Sequence, residues 1–171
     1  MNKPLYHFFT NDHQRIDDLL NKATENPDNM KTEFYHQFRT GLLKHIKMEE
    51  KILFPSAQKA NGDIPLPLAA KLRQDHGALT TLLVLPPSHE VIKVLRFVLD
   101  KHDLLEEEPG GMYDVCEELT EGATNNLLKE LEKVTEVPVH PYNEADYALE
   151  VAKRTLLRAG FDFDRIINDA I

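Results

Sequence analysis

One cysteine, Cys116, stands in 171 residues. No internal disulfide can form, and any metal chemistry must draw on nitrogen and oxygen ligands. Glycine is scarce, at 7 residues. Clean alternation of apolar and polar residues is absent, so β-structure is not expected. Positive charge is in deficit: 20 Lys and Arg face 29 Asp and Glu, a net charge of −9. Such a balance does not serve to neutralise phosphate, which sets aside nucleic acid and anionic membranes as main partners. Long apolar runs are missing too. The longest, Thr81-Leu82-Leu83-Val84-Leu85, stops at Pro86-Pro87 and is too short to span a bilayer. Leu5-Tyr6-His7-Phe8-Phe9 makes no signal-type apolar segment, so a cytoplasmic address is expected. What is present is a 42% share of hydrophobic residues, enough for one core, and eight histidines.

The apolar residues recur at helical spacing, and prolines fall between the periodic segments. The first segment runs from about Pro4 to Glu25, with Phe9, His13, Ile16, Leu20 and Ala23 on one face, and Asn26-Pro27-Asp28 ends it. The second runs from about Met30 to Ala60. Its stripe is Phe34, Phe38, Leu42, His45, Glu49, Ile52 and Leu53, and Pro55 is expected to kink it. The third runs from about Pro67 to Leu85 through Leu68, Leu72, His76, Leu79 and Leu83. Ser88 is placed to cap the fourth, which runs to about Glu108 with Ile92, Leu95, Leu99, His102 and Glu106 on one face. Pro109-Gly110-Gly111 interrupts it, and a helical piece resumes over 112–119. Residues 121–171 read as two or three more helices, one with Ala145, Ala148, Leu149, Ala152 and Leu156 on its apolar face.

Two stretches repeat each other. Asp12-His13-Gln14-Arg15-Ile16-Asp17-Asp18-Leu19-Leu20 aligns with Asp75-His76-Gly77-Ala78-Leu79-Thr80-Thr81-Leu82-Leu83. His45-Ile46-Lys47-Met48-Glu49-Glu50, then Leu53-Phe54, aligns with His102-Asp103-Leu104-Leu105-Glu106-Glu107, then Met112-Tyr113. The chain is therefore expected to be all-α. A duplicated helical hairpin would close into an antiparallel up-down four-helix bundle, with additional C-terminal helices.

Positions i and i+4 of a helix lie about 40° apart around its axis, one above the other. His45 with Glu49, and His102 with Glu106, thus each present a nitrogen and a carboxylate to one point. His13 and His76 fall on the inward stripes of their own helices. Four imidazoles and two carboxylates exceed what one tetrahedral zinc needs and suit two six-coordinate ions. The donors favour iron or manganese by geometry, while zinc and copper would bind well by affinity. With 16 glutamates and eight histidines, about one His-x-x-x-Glu arises by chance. The one at His140 is assigned to chance, since Pro138 and Pro141 make that stretch a loop. His7, His36 and His89 face away from the proposed ligands. Asp17 is a less favoured extra ligand, because its repeat partner is Thr80. Glu50 and Glu107, each following a proposed ligand, are expected to support the site or to lie on the surface. Cys116 reads as a packed thiol.

Asp12-His13, His45 to Pro55, Asp75-His76 and His102 to Glu107 together resemble the hemerythrin-like, or HHE cation-binding, proteins. The resemblance covers roughly residues 1–120. It implies a four-helix bundle around two non-haem iron ions that bind dioxygen, sense oxygen or nitric oxide, or handle iron. It further implies that His13 and His45 ligate one iron and His76 and His102 the other, with Glu49 and Glu106 bridging. The second carboxylate is Glu106, with Glu107 as the alternative register. The oxygen carriers of the family place a second histidine one turn along the third helix, where Thr80 stands here, and this departure leans away from simple oxygen storage. A di-iron redox enzyme or iron–sulfur-repair-like protein, and a structural metal in a helical interaction module, are the alternatives. A non-enzymatic role is favoured, and zinc or manganese could replace iron in a given preparation. Residues 1–120 are expected to form the bundle. Residues 121–171 are expected to pack on it or to form an oligomer or partner contact, with a homodimer as one outcome.

Overall fold

The computed structural model describes residues 2–26 and 28–169, all of whose regular structure is helical. Pro27, expected to end the first helix, lies outside the described residues. The helices are α1 (Pro4–Ala23), α2 (Thr32–Met48), α3 (Phe54–Ala60), α4 (Ala69–Leu83), α5 (His89–Glu107), α6 (Met112–Leu119), α7 (Thr124–Leu131), α8 (Asp146–Arg158) and α9 (Phe163–Asn168). Among the described residues no helix is long and apolar enough to cross a membrane.

The chain divides into two compact units, Met1–Ala69 with Glu106–Val139, and Ala70–Leu105 with His140–Ile171. In the first unit α1 packs along α2, and α6 packs on both α1 and α3. The interior is Phe9, Ile16, Leu20, Tyr35, Phe38, Leu42, Leu53 and Phe54, closed by Met112 and Cys116. The α1 helix stops at Ala23, short of Glu25. The Thr24 hydroxyl donates to the Leu20 carbonyl at 2.7 Å and so takes a bond from the last turn. Pro55 does not simply kink the second segment. The backbone widens into a π-helical turn over Glu49–Leu53, closed by the Phe54 N–H donating to the Glu49 carbonyl, and α3 follows. Proline brings no N–H and crowds the carbonyl four residues back, and a wider turn relieves both.

Helix α6 is held against the start of α1 by side chains. Glu117 accepts from the Leu5 and Tyr6 N–H groups at 2.7 and 3.0 Å, so a carboxylate serves the first turn of α1. Lys3 donates to Asp114 at 2.7 Å, and the Tyr6 hydroxyl donates to the Glu107 carbonyl at 2.9 Å. Gly110 makes the break between α5 and α6 with φ of 82°, a left-handed conformation that favours glycine.

The second unit buries Leu72, Leu79 and Leu82 of α4 and Val94, Leu95 and Val98 of α5. From the C-terminal segment it buries Ala148, Ala152, Leu156, Phe161, Phe163 and Ile166. The apolar stripe of α8 is therefore Ala148, Ala152 and Leu156. Ala145 is exposed and caps the helix, and Leu149 is half-buried. The Ser88 hydroxyl accepts from the Val91 N–H at 3.2 Å, the capping bond that its position predicts.

Candidate metal centre

The eight histidines separate cleanly by burial. His13, His45, His76 and His102 are 7%, 1%, 2% and 3% exposed. His7, His36, His89 and His140 are exposed. A fully buried carboxylate is equally uncommon, and Glu49 and Glu106 are both at 0%.

In the first unit His13 of α1, His45 of α2, Glu49 of the π turn and Glu106 converge. Each offers one ligand atom, and the four atoms lie within 4.8 Å of one another. His45 Nε2 stands 3.3 Å from Glu49 Oε1, as the i, i+4 spacing requires. His13 Nε2 stands 3.5 Å from Glu106 Oε2. Asp17 lies outside this cluster. In the second unit the rings of His76 and His102 are centred 4.9 Å apart. The sequence residues His13, His45, Glu49 and Glu106 are thus brought together in one unit, and His76 and His102 in the other.

Each ring nitrogen that points away from the cluster meets a carboxylate. His45 Nδ1 donates to Asp12 Oδ2 at 2.8 Å, and His13 Nδ1 donates to Glu107 Oε1 at 2.6 Å. This arrangement fixes the ring orientation, turns Nε2 toward the cluster and raises its basicity as a ligand. Arg15 in turn donates to Asp12 Oδ1 at 2.8 Å. Its guanidinium lies over Gly41, where an added Cβ would stand 3.1 Å from it, a tight contact that glycine avoids. Asp12 and Arg15 also line a cavity of about 670 Å³, which gives Asp12 its 16% side-chain exposure. In the second unit Asp75 lies 3.6 Å from His102 Nδ1 and is bonded by Lys71.

Burial works against a charged His45 ring, but Glu49 and the hydrogen-bonded Asp12 prevail and raise its pKa to about 10. Burial likewise opposes ionisation of Asp12, yet His45 and Arg15 pull it down to about 2. The position between His45 Nε2 and Glu49 is therefore one that favours positive charge. A metal ion fits that electrostatic demand, and two imidazole nitrogens with two carboxylates are a suitable donor set for it. Cys116 is buried, and burial followed by the nearby Glu49 and Glu106 charges holds its thiol protonated, so it adds no thiolate.

Two supporting residues left a signal in the sequence. Glu107 follows a proposed ligand, and Asp12 belongs to an Asp-His pair that occurs twice. Tyr113 gave no such signal. Its hydroxyl donates to Glu49 Oε1 at 2.6 Å and stands 3.0 Å from Glu106 Oε2, 3.1 Å from His13 Nε2 and 3.2 Å from His45 Nε2.

The profile of one protein family, the hemerythrin HHE cation binding domain, matches residues 5–137. No curated protein and no solved structure matches the chain.

Proposed function

Because the chain belongs to the hemerythrin HHE cation binding domain family, we propose that it holds a non-haem di-iron centre. We propose further that the centre binds or senses dioxygen or nitric oxide, or handles iron. Metal binding is what family and donor cluster indicate together. Iron is the finer reading, supported by borderline imidazole beside hard carboxylate.

One observation carries the proposal. Each of the two histidines in the first unit is backed on its outer nitrogen by a carboxylate, while its inner nitrogen faces a buried Glu. An ordinary ion pair on a helix face needs no such second carboxylate. A metal ligand does, because the outer hydrogen bond sets the tautomer. His13, His45, Glu49 and Glu106 would hold one ion. His76 and His102 would supply nitrogens to the second, with Glu49 and Glu106 shared. That step rests on the repeat and the family, as does the reading of the two hairpins as an antiparallel four-helix bundle.

Iron at such a centre supplies coordination of a diatomic gas and exchange of electrons. The chain's own residues exclude water around the donors, orient the imidazoles through Asp12 and Glu107, and keep Cys116 out of the chemistry. The departure at Thr80 favours sensing, redox turnover or iron handling over simple oxygen storage.

The test is metal analysis of protein from iron-replete cells, with optical spectra under argon, air and nitric oxide. About two irons per chain and a gas-dependent spectrum are expected. Stoichiometric zinc without iron would sink the proposal. A chelator that unfolds the chain while no spectrum responds to gas would point to a structural metal. Acidification should release the ions, since imidazole ligands must be neutral.

A further inference from the structure

We propose that Tyr113 is itself a metal ligand, its phenolic oxygen joining His13, His45, Glu49 and Glu106 around a trivalent ion. This inference rests on the metal-binding reading above and deepens it.

The first argument is geometric. The phenolic oxygen forms two compact triangles with the donor atoms. With His13 Nε2 and Glu106 Oε2 the sides are 3.1, 3.0 and 3.5 Å. With His45 Nε2 and Glu49 Oε1 they are 3.2, 2.6 and 3.3 Å. Neighbouring ligands on one ion with bonds of ~2.1 Å stand ~3 Å apart, and three of them make such a triangle. An oxygen in the ion's own place would instead see its neighbours at about a right angle or wider. The Tyr113 oxygen is therefore placed as a neighbour of four ligands, at a vertex of the coordination shell.

The second argument is chemical. Asp12 and Glu107 take the outer protons of His45 and His13. Two ring nitrogens and two carboxylate oxygens then surround the Tyr113 oxygen, and the phenol has one hydrogen for four neighbours. The internal repeat shows that packing does not require the hydroxyl. The aligned position in the first copy is Phe54, which is fully buried with no hydroxyl at all. A phenolate is a hard anionic oxygen donor, matched to a hard trivalent ion such as iron(III). On binding, the O–H bond is replaced by an oxygen–metal bond, and the proton leaves to bulk water.

Helix α6 can deliver the group. Asp114 and Glu117 follow Tyr113 within one turn of α6 and tie it to Lys3 and to the first turn of α1. The Tyr113 ring stacks on Phe9, with centroids 5.1 Å apart. The oxygen is thus held by packing and by hydrogen bonds on both sides.

The full chain loaded with iron(III) provides the test, with metal content, visible absorption and resonance Raman measured together. Wild-type protein should show a phenolate-to-iron(III) charge-transfer band. Its tyrosinate ring modes should shift when the protein is grown on ring-deuterated tyrosine, a measurement that needs no variant. Tyr113→Phe should abolish the band while still binding iron, and should lose at least about tenfold in competition with a chelator. Phenylalanine is the residue that the first copy carries, so the shape is tolerated. Tyr6→Phe, whose ring lies 6.3 Å from that of Tyr113, should keep the band. Bound iron without tyrosinate modes, or a band that survives Tyr113→Phe, would overturn the inference and leave the metal-binding reading standing. Failure of the wild type to take up iron would overturn both.

Discussion

The two copies of the repeated hairpin set one problem and support it differently. In the first, Asp12 hydrogen-bonds His45 at 2.8 Å and takes its counter-charge from Arg15, one turn later in α1. It keeps some exposure to the cavity beside it. In the second, Asp75 is wholly buried, stands 3.6 Å from His102 and takes its counter-charge from Lys71, one turn earlier in α4. Ala78 occupies the place aligned with Arg15. Lys71 also donates to the Ala159 carbonyl at 3.0 Å and lies over the Phe161 ring. One carboxylate is therefore committed to its histidine. The other is shared with a lysine that fastens the C-terminal segment. A repeated motif preserves the placement of the acid but not its task, because the nearest cation decides how much of the acid the histidine receives.

The largest effects should come from the ligands themselves. His45→Ala should remove about one ion per chain, and His102→Ala about one from the second copy, each leaving the other ion in place. Metal analysis after gel filtration reads this directly, with the exposed His36→Ala and His140→Ala as controls at wild-type content. Loss of both ions from either single variant would break the view that the two ions are lost independently.

The supporting acids come next, and their ranking should cross. Asp12→Asn should weaken metal binding by about 10- to 100-fold in chelator competition, the range for a carboxylate behind a ligating histidine. Asp75→Asn should lower it less than tenfold, since His102 receives only part of that acid. The reverse holds for stability. Breaking a buried ion pair removes ~3–5 kcal/mol. Asp75→Asn should fall at or below the low end, because Lys71 is 39% exposed and solvent screens it. Asp12→Asn should destabilise less. Urea denaturation of both variants checks the crossing, and equal losses on both measures would remove the distinction between the copies.

Much of this was legible in the sequence for a specific reason. Helical periodicity reports which side of a helix is buried, and His13, His45, Glu49, His76, His102 and Glu106 lie on apolar stripes that are indeed buried. The exposed set, His7, His36, His89 and His140, is the complement of those stripes. The same rule is silent on partners that arrive from another helix. Asp12 sits one residue off its stripe, and nothing in α1 alone says that its oxygen meets His45 of α2. Tyr113 lies beyond a Pro-Gly-Gly break, where a change in backbone direction cancels any count of turns from Glu106. The π turn was hidden for a related reason. Pro55 announces a disturbance, but whether the chain bends or widens depends on packing around Leu53 and Phe54.

The smallest predicted effect separates the copies at their helix starts. In the second copy Ser88 caps α5 by accepting from the Val91 N–H. Val91 is 5% exposed, so water reaches this N–H poorly and a side chain must serve it. In the first copy α2 starts after Lys31 with no side-chain cap, and Lys31, Thr32 and Glu33 are all exposed, so water serves those N–H groups instead. Ser88→Ala should therefore destabilise by about 1 kcal/mol, the usual loss for such a cap. Lys31→Ser should add only a few tenths of a kcal/mol. A hydroxyl there replaces water, and the pair of Lys31 with Glu25 that it removes is exposed and screened by solvent. Midpoints of urea unfolding for the two variants measure the difference. If Lys31→Ser stabilised as much as Ser88→Ala destabilises, the hydration of the two helix starts would be equivalent, and burial of Val91 would not be what calls for the cap.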